Sequence, residues 1–239
     1  MLEIIIIILS TIQSAFGIGL LIIGTPLLLI LNYDFFNVLS ILLPCSILIS
    51  ILQIYNSKVT NNINKKIVYL SVPLIIFGTF IIFYYKSYVN FKLFVGLGIL
   101  CVFIIKFFVK KNITSSVIRK NKKIIFMLIG LFHGLTNAGG SLISIYFQEI
   151  KKNNKKLLQF HIAFSYLFFA STQYILINIL SNNIVFNIKN FEILILSAVS
   201  YIIGKKIFFH ISLKKYLFFL NFMIFLSSLA LILSGLNLI

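Results

Sequence analysis

A chain of 239 residues that is 60% hydrophobic and 10% charged, with mean hydropathy +1.09, cannot cover its apolar surface as a soluble domain. Its net charge of +17 does not mark a nucleic-acid binder, because the 21 basic residues fall between apolar runs, where Lys and Arg mark the cytoplasmic face and meet anionic lipid. Composition predicts an all-α polytopic membrane protein whose first partner is the lipid bilayer, with no nucleic-acid partner and no room for a soluble domain.

Apolar runs fall near residues 4–31, 37–55, 67–85, 91–109, 124–147, 157–180, 190–209 and 215–236, giving eight predicted helical elements. The first opens on MLEIIIIILS, which lacks a basic n-region and runs past the length of a signal-peptide core, so no cleaved signal is expected. Its middle is interrupted: QSAFGIGLLIIGTP, residues 13–26, carries Gln13, Gly17, Gly19, Thr25 and Pro26. The second element holds Cys45 after Pro44, and Gln53; the third holds Gly78 and the fourth Cys101. Two cysteines within predicted spans are too few for a disulfide framework or zinc site and read as small buried hydrophobes.

The fifth element, IGLFHGLTNAGGSLISIY at 129–146, is broken like the first, by Thr136, Asn137, Gly139, Gly140 and Ser141. An advance of 120 residues takes Gln13 to His133, Gly19 to Gly139, Pro26 to Tyr146 and Gln53 to Gln173. Gly78 and Gly204 lie on the matching third and seventh elements, at a slightly larger offset. Two interrupted segments at matching places in the two halves of a membrane chain point to a transporter's binding site. The expected organisation is one transporter domain over 1–239, with repeats at about 1–112 and 113–239.

Charge placement sharpens the topology. If all eight elements cross the membrane, the basic residues divide 11 to 10 between its two sides. If the fifth enters and returns, 18 share one side and 3 the other, the arrangement that the positive-inside rule prefers. The fifth element is therefore expected to be a re-entrant hairpin with its tip near 136–140. The repeat extends that expectation to the first. Each half then has one hairpin and three crossings, the halves are inverted, the termini lie outside the cytoplasm and the basic loops lie within it.

Helix arms that break inside the membrane expose unpaired N–H groups and a partial positive charge at their inner N-termini, and glycine lets a ligand approach that backbone. The second arms begin near Gly19 and near Gly139, Gly140 and Ser141. The expected substrate-binding set is Gln13, Gly17, Gly19, Thr25, Pro26, His133, Asn137, Gly139, Gly140 and Ser141. Gln53 and Gln173 either line the path or bond neighbouring helices. His133 reads as a structural histidine or a proton-coupling group, and His161 and His210 as interfacial anchors. No cofactor or metal is expected.

At GIGLLIIGTPLL (17–28), HGLTNAGGSLISIY (133–146) and the tail VSYIIGKKIFFHISLKKYLFFLNFMIFLSSLALIL (199–233), the chain resembles the sulfite exporter TauE/SafE family. It departs from that family's pattern at Leu20–Ile23, where a denser glycine run is frequent, and at Ser141, where many members have proline. The resemblance implies a cytoplasmic-membrane transporter that exports a small anion, with sulfur oxyanions or organic sulfonates and carboxylates as the substrate class.

Other classes fit less well. The chain has no HExxH and no GxSxG motif, which leaves an embedded hydrolase or metalloenzyme without candidates. A thiol–disulfide carrier would use Cys45 and Cys101, but the repeat maps Cys45 onto Ser165. A non-transporting membrane subunit remains the third alternative.

Overall fold

The computed structural model describes residues 1–57, 59, 65–85, 90–108, 120–150, 154–181 and 188–236. Lys58, Lys86, Lys110, Lys111, Arg119, Lys151 and Lys152 of the charge count lie outside these described residues. Among the described residues the protein is all-helical, with ten helices: α1 Leu2–Phe16, α2 Leu20–Ile30, α3 Phe35–Ser57, α4 Lys65–Tyr85, α5 Phe91–Phe108, α6 Lys122–Thr136, α7 Gly139–Ile150, α8 Lys155–Ser181, α9 Ile188–His210 and α10 Leu213–Gly235. Five have the length and hydropathy to cross a membrane: α3, α4, α8, the Phe191–His210 part of α9, and α10.

The first and fifth predicted elements are each two helices. α1 stops at Gly17, whose φ of 81° is left-handed and whose N–H bonds the Gln13 carbonyl at 2.7 Å. α6 stops the same way at Asn137, φ 58°, with its N–H on the His133 carbonyl at 2.8 Å. Glycine takes this conformation without strain, and asparagine is among the few other residues that adopt it readily. Gly17 and Asn137 stand at matching places in the repeat.

Both pairs fold back on themselves. A Cβ on Gly24 of α2 would lie 2.9 Å from Leu9 Cδ1 of α1, well away from the turn. In the later pair the Phe126 and Tyr146 rings meet edge to face at 5.0 Å. At 1.5 Å per residue the arms are roughly 16–22 Å long, short of a hydrocarbon core of about 30 Å.

The main packing partners are α1 with α9, α4 with α6, α3 with α8, and α5 with α10. The first two are related at residue level. Gly78 of α4 rests on the α6 backbone at Leu131, Gly134 and Leu135, and Gly204 of α9 rests on α1 at Thr11, Ser14 and Ala15. Ser71 packs on Gly130, while Ser10 donates a 3.0 Å hydrogen bond to Ser197. In each case the α6 residue lies 120 positions beyond its α1 counterpart. Small residues at these crossings let helix backbones approach closely, the usual means of helix association in lipid.

Some expectations about single residues change. Cys45 is buried in α3, but Cys101 lies on an exposed face of α5, so only one cysteine is a core hydrophobe. His161 is not at a helix end: it sits inside α8, buried and stacked on Phe147 at 5.0 Å. His210 does close α9 and is exposed, its Nδ1 lying 2.8 Å from the Lys206 carbonyl oxygen.

Candidate functional site

The end of α1 presents its last carbonyls to three other helices. Gln53 Nε2 of α3 donates to the Gln13 and Ser14 carbonyls at 2.7 and 3.1 Å. Gln159 Nε2 of α8 donates to those of Ser14 and Ala15 at 2.9 and 3.3 Å, and the Tyr216 hydroxyl of α10 to that of Phe16 at 2.5 Å. Helix ends need such partners where water is excluded. Gln53, Gln159 and Tyr216 each lie about one turn from the end of their own helix. The first tip therefore sits near that end of the bundle, not at its middle.

Gln13 is tied down as well. Its Nε2 donates to the Ser46 carbonyl and hydroxyl at 3.2 and 2.9 Å, leaving only the acceptor Oε1 without a partner. Gly19 caps α2 under close packing: a Cβ there would lie 2.7 Å from Ile12 Cγ2 and 2.8 Å from the Gln13 nitrogen. The next residues, Leu20, Leu21 and Ile22, are fully buried and apolar. Pro26 is buried inside α2, where it withholds the donor that the Ile22 carbonyl would otherwise meet.

The later tip is built differently. Asn137 Nδ2 donates to Thr25 Oγ1 at 2.9 Å, joining the tip of one hairpin to the second arm of the other. Both tips also touch α8, Gly17 at Gln159 and Ile162, and Gly140 at the Tyr166 hydroxyl. Ile162 and Tyr166 are one turn apart, roughly 6 Å along the axis. Gly139 packs on His133, whose ring meets Tyr166 at 6.4 Å and Phe169 at 5.2 Å between centroids. Ser141 spends its hydroxyl and its N–H on the Ala138 carbonyl at 2.8 and 3.1 Å.

What sets this tip apart is its unsatisfied polarity. Both ring nitrogens of His133, both amide ends of Gln173, the Tyr166 hydroxyl and Asn137 Oδ1 are buried without a hydrogen-bond partner among the described residues. Tyr166, Phe169 and Gln173 share one face of α8 by their three- and four-residue spacing. A buried polar group left without a partner costs about 1–3 kcal/mol. Such a group in a native structure calls for an explanation. His133 and Gln173 lie 120 positions beyond Gln13 and Gln53, yet the earlier pair is bonded to Ser46 and the α1 end, and the later pair has no partner among the described residues. Sequence reasoning missed Tyr166, Ser46, Gln159 and Tyr216, which sit in long helices with no local motif to single them out. The repeat alone would have linked Tyr166 to Ser46.

The remaining polar space is a cavity of about 460 Å³ bounded by the ends of α1, α3, α8 and α9, and Ser14, Gln53, Gln159, Lys156 and Lys205 are among its lining residues. No curated protein and no solved structure matches the chain. The family described as sulfite exporter TauE/SafE matches residues 2–231, nearly the whole length. With ten helices, apolar spans and two folded-back pairs joined at Asn137 and Thr25, the chain belongs to the sulfite exporter TauE/SafE family.

Proposed function

We propose that this multi-pass membrane protein exports a small oxyanion, of the sulfur oxyanion or organic sulfonate and carboxylate class, across the cytoplasmic membrane, with the basic loops on the cytoplasmic side. The single observation that carries the site is the set of buried, unpartnered groups at the later tip. Tyr166, His133 and Gln173 can donate hydrogen bonds, and α7 begins there with N–H groups that its own helix cannot use. An oxyanion satisfies all of these donors together, helped by the positive end of the helix. Gly139 and Gly140 leave the His133 and Tyr166 side chains room to close on the start of α7. Gly17, Gly19, Thr25, Pro26 and Gln13 shape and anchor the opposing hairpin, and Gln53 holds the end of α1.

The same reading makes the halves, about 1–112 and 113–239, inverted repeats, each with one re-entrant hairpin and three crossings. The matched crossings of α4 on α6 and α9 on α1 support it, as do the paired left-handed caps at Gly17 and Asn137. Three ends of the bundle that carry basic residues also meet: Lys205 donates to Asn56 Oδ1 at 2.7 Å, and Lys155 donates to the Phe208 and Ile211 carbonyls.

The test is flux of radiolabelled sulfite in proteoliposomes, using protein with Cys45→Ser and Cys101→Ser. Saturable flux at close to the unsubstituted rate is expected, since neither thiol touches the tip. If the double variant is inactive while the parent is active, thiol chemistry replaces the anion-transport reading. If neither moves sulfite, sulfate, a small sulfonate or a small carboxylate, the substrate class is wrong.

A further inference from the structure

A basic cavity opens at one end of the bundle, and described residues at related positions of the other half pack closely. The cavity carries Lys156 at its exposed rim, Lys205 partly buried, and Ser14, Gln53, Asn56 and Gln159 deeper in. None of its lining residues is acidic. Lys205 is steadied by Asn56, and Lys156 Nζ stands 5.7 Å from the Phe209 ring centre. Under the repeat, Lys156 corresponds to Phe36, Gln159 to Leu39, Tyr201 to Ile75 and Phe209 to Phe83. There Phe36 and Phe83 meet edge to face at 5.3 Å, and Leu39 and Ile75 are fully buried. The Lys156–Lys205 cavity is open and cationic; among the described residues the related positions carry no cation, Phe36, Leu39, Ile75 and Phe83 being apolar and Thr79 and Gln173 buried and polar.

We propose that the Lys156–Lys205 cavity is a second oxyanion site that collects substrate from the cytoplasm and hands it to the hairpin tips. The inference rests on the anion-transport reading above. Two ammonium groups with no carboxylate nearby raise the local concentration of anions. Gln159 on the cavity wall and Tyr166 at the later tip lie on one helix, seven residues or roughly 10 Å apart. An anion leaving the lysines meets the next donors within about two helical turns. Among the described residues the related positions of the other half carry no cation, an asymmetry that favours capture for export.

Isothermal titration of sulfite and of sulfate into purified protein in neutral detergent tests this, alongside proteoliposome flux. For Lys156→Gln/Lys205→Gln, binding about tenfold weaker is expected, with the parent's affinity falling as salt rises. Lys205→Arg keeps the charge and should restore affinity, which separates loss of charge from misfolding. Unchanged affinity in the double glutamine variant overturns the proposal, even while the parent transports. So does an absence of sulfite and sulfate binding to the parent. If the lysines govern binding of added phosphatidylglycerol and not of sulfite, the cavity holds a lipid headgroup and the proposal also fails. Weakened binding in the lysine variant together with full flux in Gly140→Leu would leave this site standing and overturn the tip site instead.

Discussion

Gly140→Leu is expected to lower sulfite flux by a factor of about one hundred or more, the scale on which lost backbone donors act at preorganised anion sites. A Cβ at this position runs into the Tyr166 hydroxyl and ring, so even the first carbon of a side chain needs space that the later tip does not have. Leucine would also cover the opening N–H groups of α7, the ones proposed to face the anion. Overpacking of this kind costs about 1–3 kcal/mol, which a helix bundle of this size can tolerate. A monodisperse variant without flux is therefore the expected result, measured by size-exclusion profile and proteoliposome uptake together. Tyr166→Phe is the milder companion, since it removes one hydroxyl with no hydrogen-bond partner among the described residues. Sulfite affinity should drop about tenfold with the fold unchanged. Flux within about twofold of the parent in both variants would leave the glycines as packing residues.

The second expectation concerns two glutamines that look alike in sequence. Gln53→Leu should lower thermal stability by about 1–3 kcal/mol, because the Gln13 and Ser14 carbonyls each lose one of their two donors and a buried amide pairing is broken. Gln173→Leu should do the reverse: it removes a buried amide with no partner at either end among the described residues and should stabilise the protein by about 1 kcal/mol. The same change should weaken anion binding, since the amide is proposed to meet the substrate. Thermal unfolding in detergent with and without sulfite reads both effects. The parent should gain stability from sulfite, while Gln173→Leu should gain less. Equal destabilisation by the two substitutions would mean that both glutamines are structural.

Much of this architecture was legible in the chain. Hydropathy marked the long spans, and the breaks at Gly17–Gly19 and Asn137–Gly139 were visible because glycine and asparagine are the residues that end a helix in a left-handed turn. The 120-residue offset placed His133 opposite Gln13 and Gln173 opposite Gln53. What it could not show is that these matched pairs have diverged in use. The Gln13 and Gln53 amide nitrogens donate to Ser46 and the α1 end, whereas His133 and Gln173 have no hydrogen-bond partner among the described residues. That difference depends on contacts between helices far apart in sequence, which no local pattern carries. Lys156 and Lys205 were hidden for another reason: among 21 basic residues they read as topology markers, and only packing brings these two to one cavity.

The most direct test of the central claim is the side of the membrane on which the two ends of the later hairpin emerge. Single cysteines at Asn121, before α6, and Asn154, after α7, would be placed in protein lacking Cys45 and Cys101 and probed in intact cells with an impermeant thiol reagent. The account predicts that both are protected until the membrane is permeabilised, because the hairpin enters and leaves on the cytoplasmic face. Labelling of one position and not the other in intact cells would mean that the segment crosses the membrane. The inverted repeat, the shared basic face and the anion site at the hairpin tips would then fall together.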